Sequence, residues 1–172
     1  MRPPQHSIDA EPILILPTDP AWDMDRIGKE VDENPDHAWV KYQRGEGRYD
    51  LLAPHGDDAA ADYLLGEPEP LKFHLRRLTV MQLAEVQGIF RREFRAHGEN
   101  GDYLMSWAKA CSYGLADVSG PGSFDLEFSR GALTDASFQR VHDDLGGMAA
   151  VSKLGEAIFM ISQPLTAAEK KR

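Results

Sequence analysis

One cysteine, Cys111, stands in 172 residues, so no intramolecular disulfide can staple the fold. A reducing interior such as the cytoplasm suits that thiol usage, and this is the expected location. The six histidines, His6, His37, His55, His74, His97 and His142, never fall at a metal-binding helical spacing from one another, and no cysteine cluster accompanies them. Asp143 and Asp144 follow His142, but successive side chains on a helix are expected to diverge rather than converge on an ion. No metal and no cofactor are therefore expected. Apolar runs are short as well: none approaches the roughly 20 residues needed to cross a bilayer, and the first residues lack a signal-peptide core. The expectation is a soluble protein that stays where it is made.

Catalytic patterns are missing in the same way. Gly45-Glu46-Gly47 and Gly120-Pro121-Gly122 are not followed by the lysine and hydroxyl of a phosphate loop, and read as turns. Asp19, Asp23 and Asp25 miss the alternating ligands of a calcium loop, and read as a helix start near Asp19 with Pro20 in the first helical position. Cys111 has no histidine placed near it by sequence and reads as a buried, inert thiol. The chain is read as non-catalytic.

Negative charge is plentiful. With 28 Asp and Glu against 19 Lys and Arg, the formal net charge is −9, a field that works against nucleic-acid binding. Arg76-Arg77 and Arg91-Arg92-Arg95 form a local exception, read as a solvated face because Glu85 and Glu93 dilute it. His74 is read as solvent-facing on its strand.

The chain is long enough for one domain that buries roughly 70% of its unfolded surface. The fold class read from the pattern is α+β: a small N-terminal antiparallel β region, a hairpin plus one or two strands, followed by a mostly helical C-terminal half. Residues 1–11 form an arm, 12–163 the domain (β-rich over 12–78, helical over 79–163), and 164–172 a tail. Ile13 to Leu16 reads as a strand closed by Pro17. Residues 38–43 and 48–53 read as a hairpin around Arg44-Gly45-Glu46-Gly47, with Trp22, Trp39, Tyr42 and Tyr49 filling a small core. A short helical composition spans 57–65.

Leu71, Phe73 and Leu75 alternate with Lys72, His74 and Arg76, which is the clearest strand. Thr79 with Gln82 has the capping-box spacing, opening a helix whose stripe is Val80, Leu83, Val86, Phe90 and Phe94. Gly98 ends it, and a second helix runs from Asp102 to about Leu115. Phe124 to Phe128 has period two and is left open between a strand and an ordered insertion. Thr134-Asp135 starts another helix, Gly146-Gly147 interrupts it, and Met148 to Ile161 forms the last.

Three segments carry a resemblance: Phe73-His74-Leu75-Arg76-Arg77-Leu78-Thr79, Ser112-Tyr113-Gly114-Leu115, and Ile158 through Pro164-Leu165-Thr166-Ala167-Ala168-Glu169-Lys170-Lys171. Over about 100 residues the back half resembles tail assembly chaperones of long-tailed bacteriophages, small proteins that coat the tape-measure protein before the tail tube polymerises. The resemblance implies a mostly helical protein with a small β region. It also implies a non-catalytic role in virion assembly in the host cytoplasm. The partners implied are the tape-measure protein and other tail proteins, with no nucleic acid and no membrane; self-association stays open. The first 70 residues have no counterpart in that family. Under this reading the partner-binding candidates are Phe90, Phe94, Phe159 and Ile161, forming an apolar groove for hydrophobic helices. The alternative reading is a phage-encoded acidic inhibitor or regulator that binds a host protein by charge complementarity.

Overall fold

Phe73 and Leu75 are fully buried while Lys72 and His74, which alternate with them, are half-exposed, so the alternation in sequence becomes an extended strand, β3 (Lys72–Leu75). The computed structural model describes residues 13–16, 18–33, 52–53, 63–98 and 103–163. Its class is α+β, short antiparallel strands with a helical C-terminal half. The chain divides into two units, Met1–Leu75 with Ala116–Asp125, and Arg76–Leu115 with Leu126–Arg172.

In the first unit the sheet order is β2-β1-β3-β4, with β1 at Ile13–Leu14, β2 at Leu52–Ala53 and β4 at Leu115–Ser119. β1 pairs antiparallel on both sides: Ile13 faces Ala53 and His74, and Leu14 faces Leu52 and Phe73. Beside this lies a core of Ile15, Trp22, Ile27 and Tyr63, with Leu64 packed against it. The Trp22 indole N–H donates to the Leu16 carbonyl at 3.0 Å, which satisfies the polar end of a buried ring.

Helix α1 (Met24–Glu33) begins later than the aspartates suggest. Asp23 caps it, its carboxylate accepting from the Arg26 N–H at 3.0 Å. Asp19 instead folds a turn: its two oxygens accept from the N–H groups of Ala21 at 2.9 Å and Leu71 at 3.0 Å. Pro20 accordingly lies in that turn and not in the helix. Tyr63 to Leu65 are not helical either, since Leu64 bridges Trp22 and the Leu65 N–H donates to the Ala21 carbonyl. The expected hairpin over 38–53 lies outside the described residues except for Leu52 and Ala53. The expected arm, the tail, residues 57–62, and the aromatics Trp39, Tyr42 and Tyr49 lie outside them too.

The second unit is built on helices α2 (Val80–His97), α3 (Leu104–Gly114), α4 (Asp135–Leu145) and α5 (Gly147–Ser162), with a hairpin of β5 (Phe128–Ser129) and β6 (Ala132–Leu133). The capping box is complete: Thr79 Oγ1 accepts from the Gln82 N–H at 3.3 Å, and Gln82 Oε1 accepts from the Thr79 N–H at 3.0 Å. Thr134 caps α4 similarly, and Gly146, at φ 114°, separates α4 from α5. Among the described residues no single helix is long and apolar enough to cross a membrane; α4 and α5 have that apolar length only together and are bent by 113°. Of the run 124–128, only Phe128 is in a strand.

Arg76 organises this unit. Its backbone N–H donates to the Gly114 carbonyl at 2.8 Å, Nε to the Tyr113 carbonyl at 2.7 Å and Nη2 to the Gly131 carbonyl at 3.2 Å. It is therefore a structural residue, and not part of a solvated basic face with Arg77, Arg91, Arg92 and Arg95, which are exposed. α3 and α5 make the closest helix contact: a Cβ on Gly155 would overlap the Trp107 carbonyl and lie 2.6 Å from its Cα.

That contact predicts a pair of opposite outcomes. Gly155→Ala should cost about 1 to 3 kcal/mol by overpacking. Gly88→Ala, in the exposed middle of α2 with nothing within 4 Å of the added methyl, should gain about 0.5 to 1 kcal/mol. Urea melts of both variants check this, and a Gly155→Ala protein as stable as the parent would refute the close crossing.

Candidate functional site

Phe90 lies on α2 one turn beyond the fully buried Val86, and it is only half-buried. Its ring stacks on Tyr103 at 4.4 Å between centroids and lies 5.9 Å from Trp107 and 6.3 Å from Phe159. Trp107 meets Phe159 edge-on at 5.4 Å. Residues from α2, α3 and α5, with Tyr103 just before α3, thus form one four-ring cluster, each ring half-buried. The Tyr103 hydroxyl donates to the Gly98 carbonyl at 2.8 Å, which ties the end of α2 to the start of α3 and fixes the stacking ring.

Of the sequence candidates, Phe90 and Phe159 come together here. Phe94 continues the stripe one turn further and is 49% exposed. At the other end of the same stripe Val80 is exposed too, so only Val86 is fully buried. Ile161 is half-buried and follows Phe159 by two residues, which on a helix turns it towards the line of Leu154, Ala157 and Ile158 and away from Phe159. Tyr103 and Trp107 were both missed as contributors; their spacing of four is the signal that sets the two rings on one side of the start of α3.

Comparison with protein-family models, curated proteins and solved structures gave no match.

Beside the rings, α2 and α3 are joined by a polar contact. Glu85 Oε2 accepts from the Tyr113 hydroxyl at 2.6 Å, and Glu85 Oε1 lies 3.1 Å from Lys109 Nζ. The Lys109 ammonium also sits 4.8 Å from the centre of the Tyr113 ring. The Tyr113 hydrogen bond, and then Lys109, hold the Glu85 carboxyl below its ordinary value. Tyr113, and then Glu85, raise the Lys109 ammonium. All three side chains are partly open to water, so the ion pair is worth less than about 1 kcal/mol.

Elsewhere, Cys111 is fully buried and burial pushes its thiol up to about 12, which leaves it protonated and unreactive. His74 is not simply solvent-facing: its Nε2 lies 2.7 Å from Ser119 Oγ on the neighbouring strand. Nor do His142 and Asp143 diverge, since His142 Nδ1 reaches Asp143 Oδ1 at 2.7 Å by side-chain rotation on the helix surface. Among the described residues no group of three or more His, Cys, Asp and Glu is arranged to hold a metal ion.

The Glu85 and Lys109 shifts define a pH signature. A carboxyl depressed in the folded state stabilises above its ordinary range and loses that contribution as pH falls through its folded value. A raised ammonium stabilises below its ordinary value and loses its share as pH rises through the folded one. Glu85→Gln should therefore be less stable than the parent at neutral pH, with the difference vanishing on acidification through the carboxylate range. Thermal melts across pH test it, and a difference that persists in acid would contradict it.

Proposed function

We propose that this chain is a non-catalytic assembly chaperone of the phage-tail kind, which holds apolar helices of a tape-measure protein until the tail tube polymerises. The observation that supports the reading is the half-buried aromatic cluster of Phe90, Tyr103, Trp107 and Phe159 running out to Phe94 at 49% exposure. Rings that pack on one edge and face water on the other are suited to take up the apolar stripe of a partner helix. Many weak contacts of this kind along one long partner add up through multivalency. The resemblance of the back half to tail assembly chaperones supports the same role.

Co-expression with a tape-measure fragment should yield a soluble complex that survives high salt, because apolar burial drives it. Phe94→Asp should weaken that complex about tenfold, a loss of roughly 1.4 kcal/mol, while leaving the melting temperature nearly unchanged. A fragment equally insoluble with and without this protein refutes the proposal. A complex that dissolves in salt favours the charge-driven regulator instead.

A further inference from the structure

Phe94, half-exposed, ends the ring surface along α2, and helical spacing fixes what borders it there. At about 100° per residue, Arg91 and Arg95 lie roughly 60° and 100° round the helix from Phe94, both on one side. Phe90 and Glu93 lie on the other side, at about 40° and 100°. Arg92 falls about 160° away, on the far side of α2. The aromatic surface therefore has two guanidinium groups along one edge.

Neither charge is answered among the described residues. Arg91 and Arg95 are exposed and take part in no ion pair there. The helices that carry the rings hold three carboxylates, and each has a partner of its own. Glu85 is held by Lys109 and Tyr113, Glu93 lies 4.0 Å from His97, and Glu156, one turn before Phe159, lies 3.6 Å from Lys153. Glu127 is exposed, but it leads into the β5–β6 hairpin, whose turn meets α2 at Gln82, about 13 Å before Arg91 at the usual helical rise. The helix dipole favours cations in the last turn, which accounts for Arg95 and leaves Arg91, one turn earlier, without a structural reason.

We infer that the ring surface takes a helix whose apolar stripe is bordered on one side by carboxylates, which lie over Arg91 and Arg95. The inference rests on the proposed helix-binding role and names the partner's chemistry at that same surface. Apolar contact supplies most of the affinity, because exposed ion pairs contribute little each, and the charges set which way round the partner lies. A net charge of −9 by itself favours a cationic partner, so a preference for carboxylates is a local effect of these two side chains.

Three synthetic amphipathic helices about five turns long test it, each with the same leucine stripe bordered on one side by Glu, Gln or Lys and otherwise neutral. Their binding to the full chain is followed by fluorescence anisotropy in about 0.15 M salt, where screening over roughly 8 Å leaves local charges in control. Affinity should fall from the Glu to the Gln to the Lys peptide, about tenfold in all. Arg91→Glu/Arg95→Glu should reverse that order, and the binding gained by the Lys peptide shows that the variant is folded. Arg92→Glu reverses one charge of the same helix but faces away, and should keep the parent's order. At about 1 M salt the three affinities should converge while binding persists. Equal affinities at the lower salt, an order unchanged in the double variant, or one that Arg92→Glu also reverses overturns this inference and leaves the helix-binding role standing. Binding of none of the three overturns both.

Discussion

Arg76 satisfies two carbonyls at the end of α3 and a third at the hairpin turn, and the arrangement of the second unit depends on it. The last carbonyls of any helix lack partners within the helix and carry partial negative charge. A guanidinium supplies donors in a fixed fork, and hydrogen bonds of charged groups contribute about 1.5 to 3 kcal/mol each. α2 begins only a few residues later, at the Thr79–Gln82 capping box. Gln82 then donates to the carbonyl that Arg76 already holds, so a helix end, a helix start and a β-turn are fixed by one set of bonds.

The aromatic cluster follows from a second constraint, the close approach of α3 and α5 at Gly155. Helices whose backbones come this near leave no room for rings between them at the crossing. The rings of Trp107 and Phe159 are accommodated beside it, where Phe90 and Tyr103 join them. Their partial exposure is thus a consequence of packing geometry, and Phe94 lies where that shelter ends. The proposed binding role draws on this by-product of a tight helix pair.

Much of the second unit was legible in sequence because its signals are local. Thr79 with Gln82, Thr134 and Gly146 each act within a few residues of themselves, and the helices begin and end where they say. β4 was not legible: Leu115 and Val118 are its buried residues, a spacing of three that lacks the alternation marking a half-buried strand. The β5–β6 hairpin was hidden for another reason, since its turn uses Arg130 at a positive φ where Asn or Gly would have announced it. Asp19 looked like a helix cap, yet one of its oxygens serves Leu71, a partner 52 residues away that no local pattern encodes. At the candidate site, Phe90 and Phe159 could be named from apolar spacing, but their meeting with Tyr103 required knowing which helices cross.

The Leu78 N–H donates to Ser162 Oγ at 2.9 Å, and the same hydroxyl donates to the Ile158 carbonyl at 2.6 Å. Residues 84 apart in sequence are thereby clasped at the entrance to α2 and the last turn of α5. One hydroxyl therefore joins the approach to α2 and the end of α5 within the second unit. Fraying of the last turn of α5 takes away the acceptor of the Leu78 N–H, so local stability at that turn and at the approach to α2 is shared.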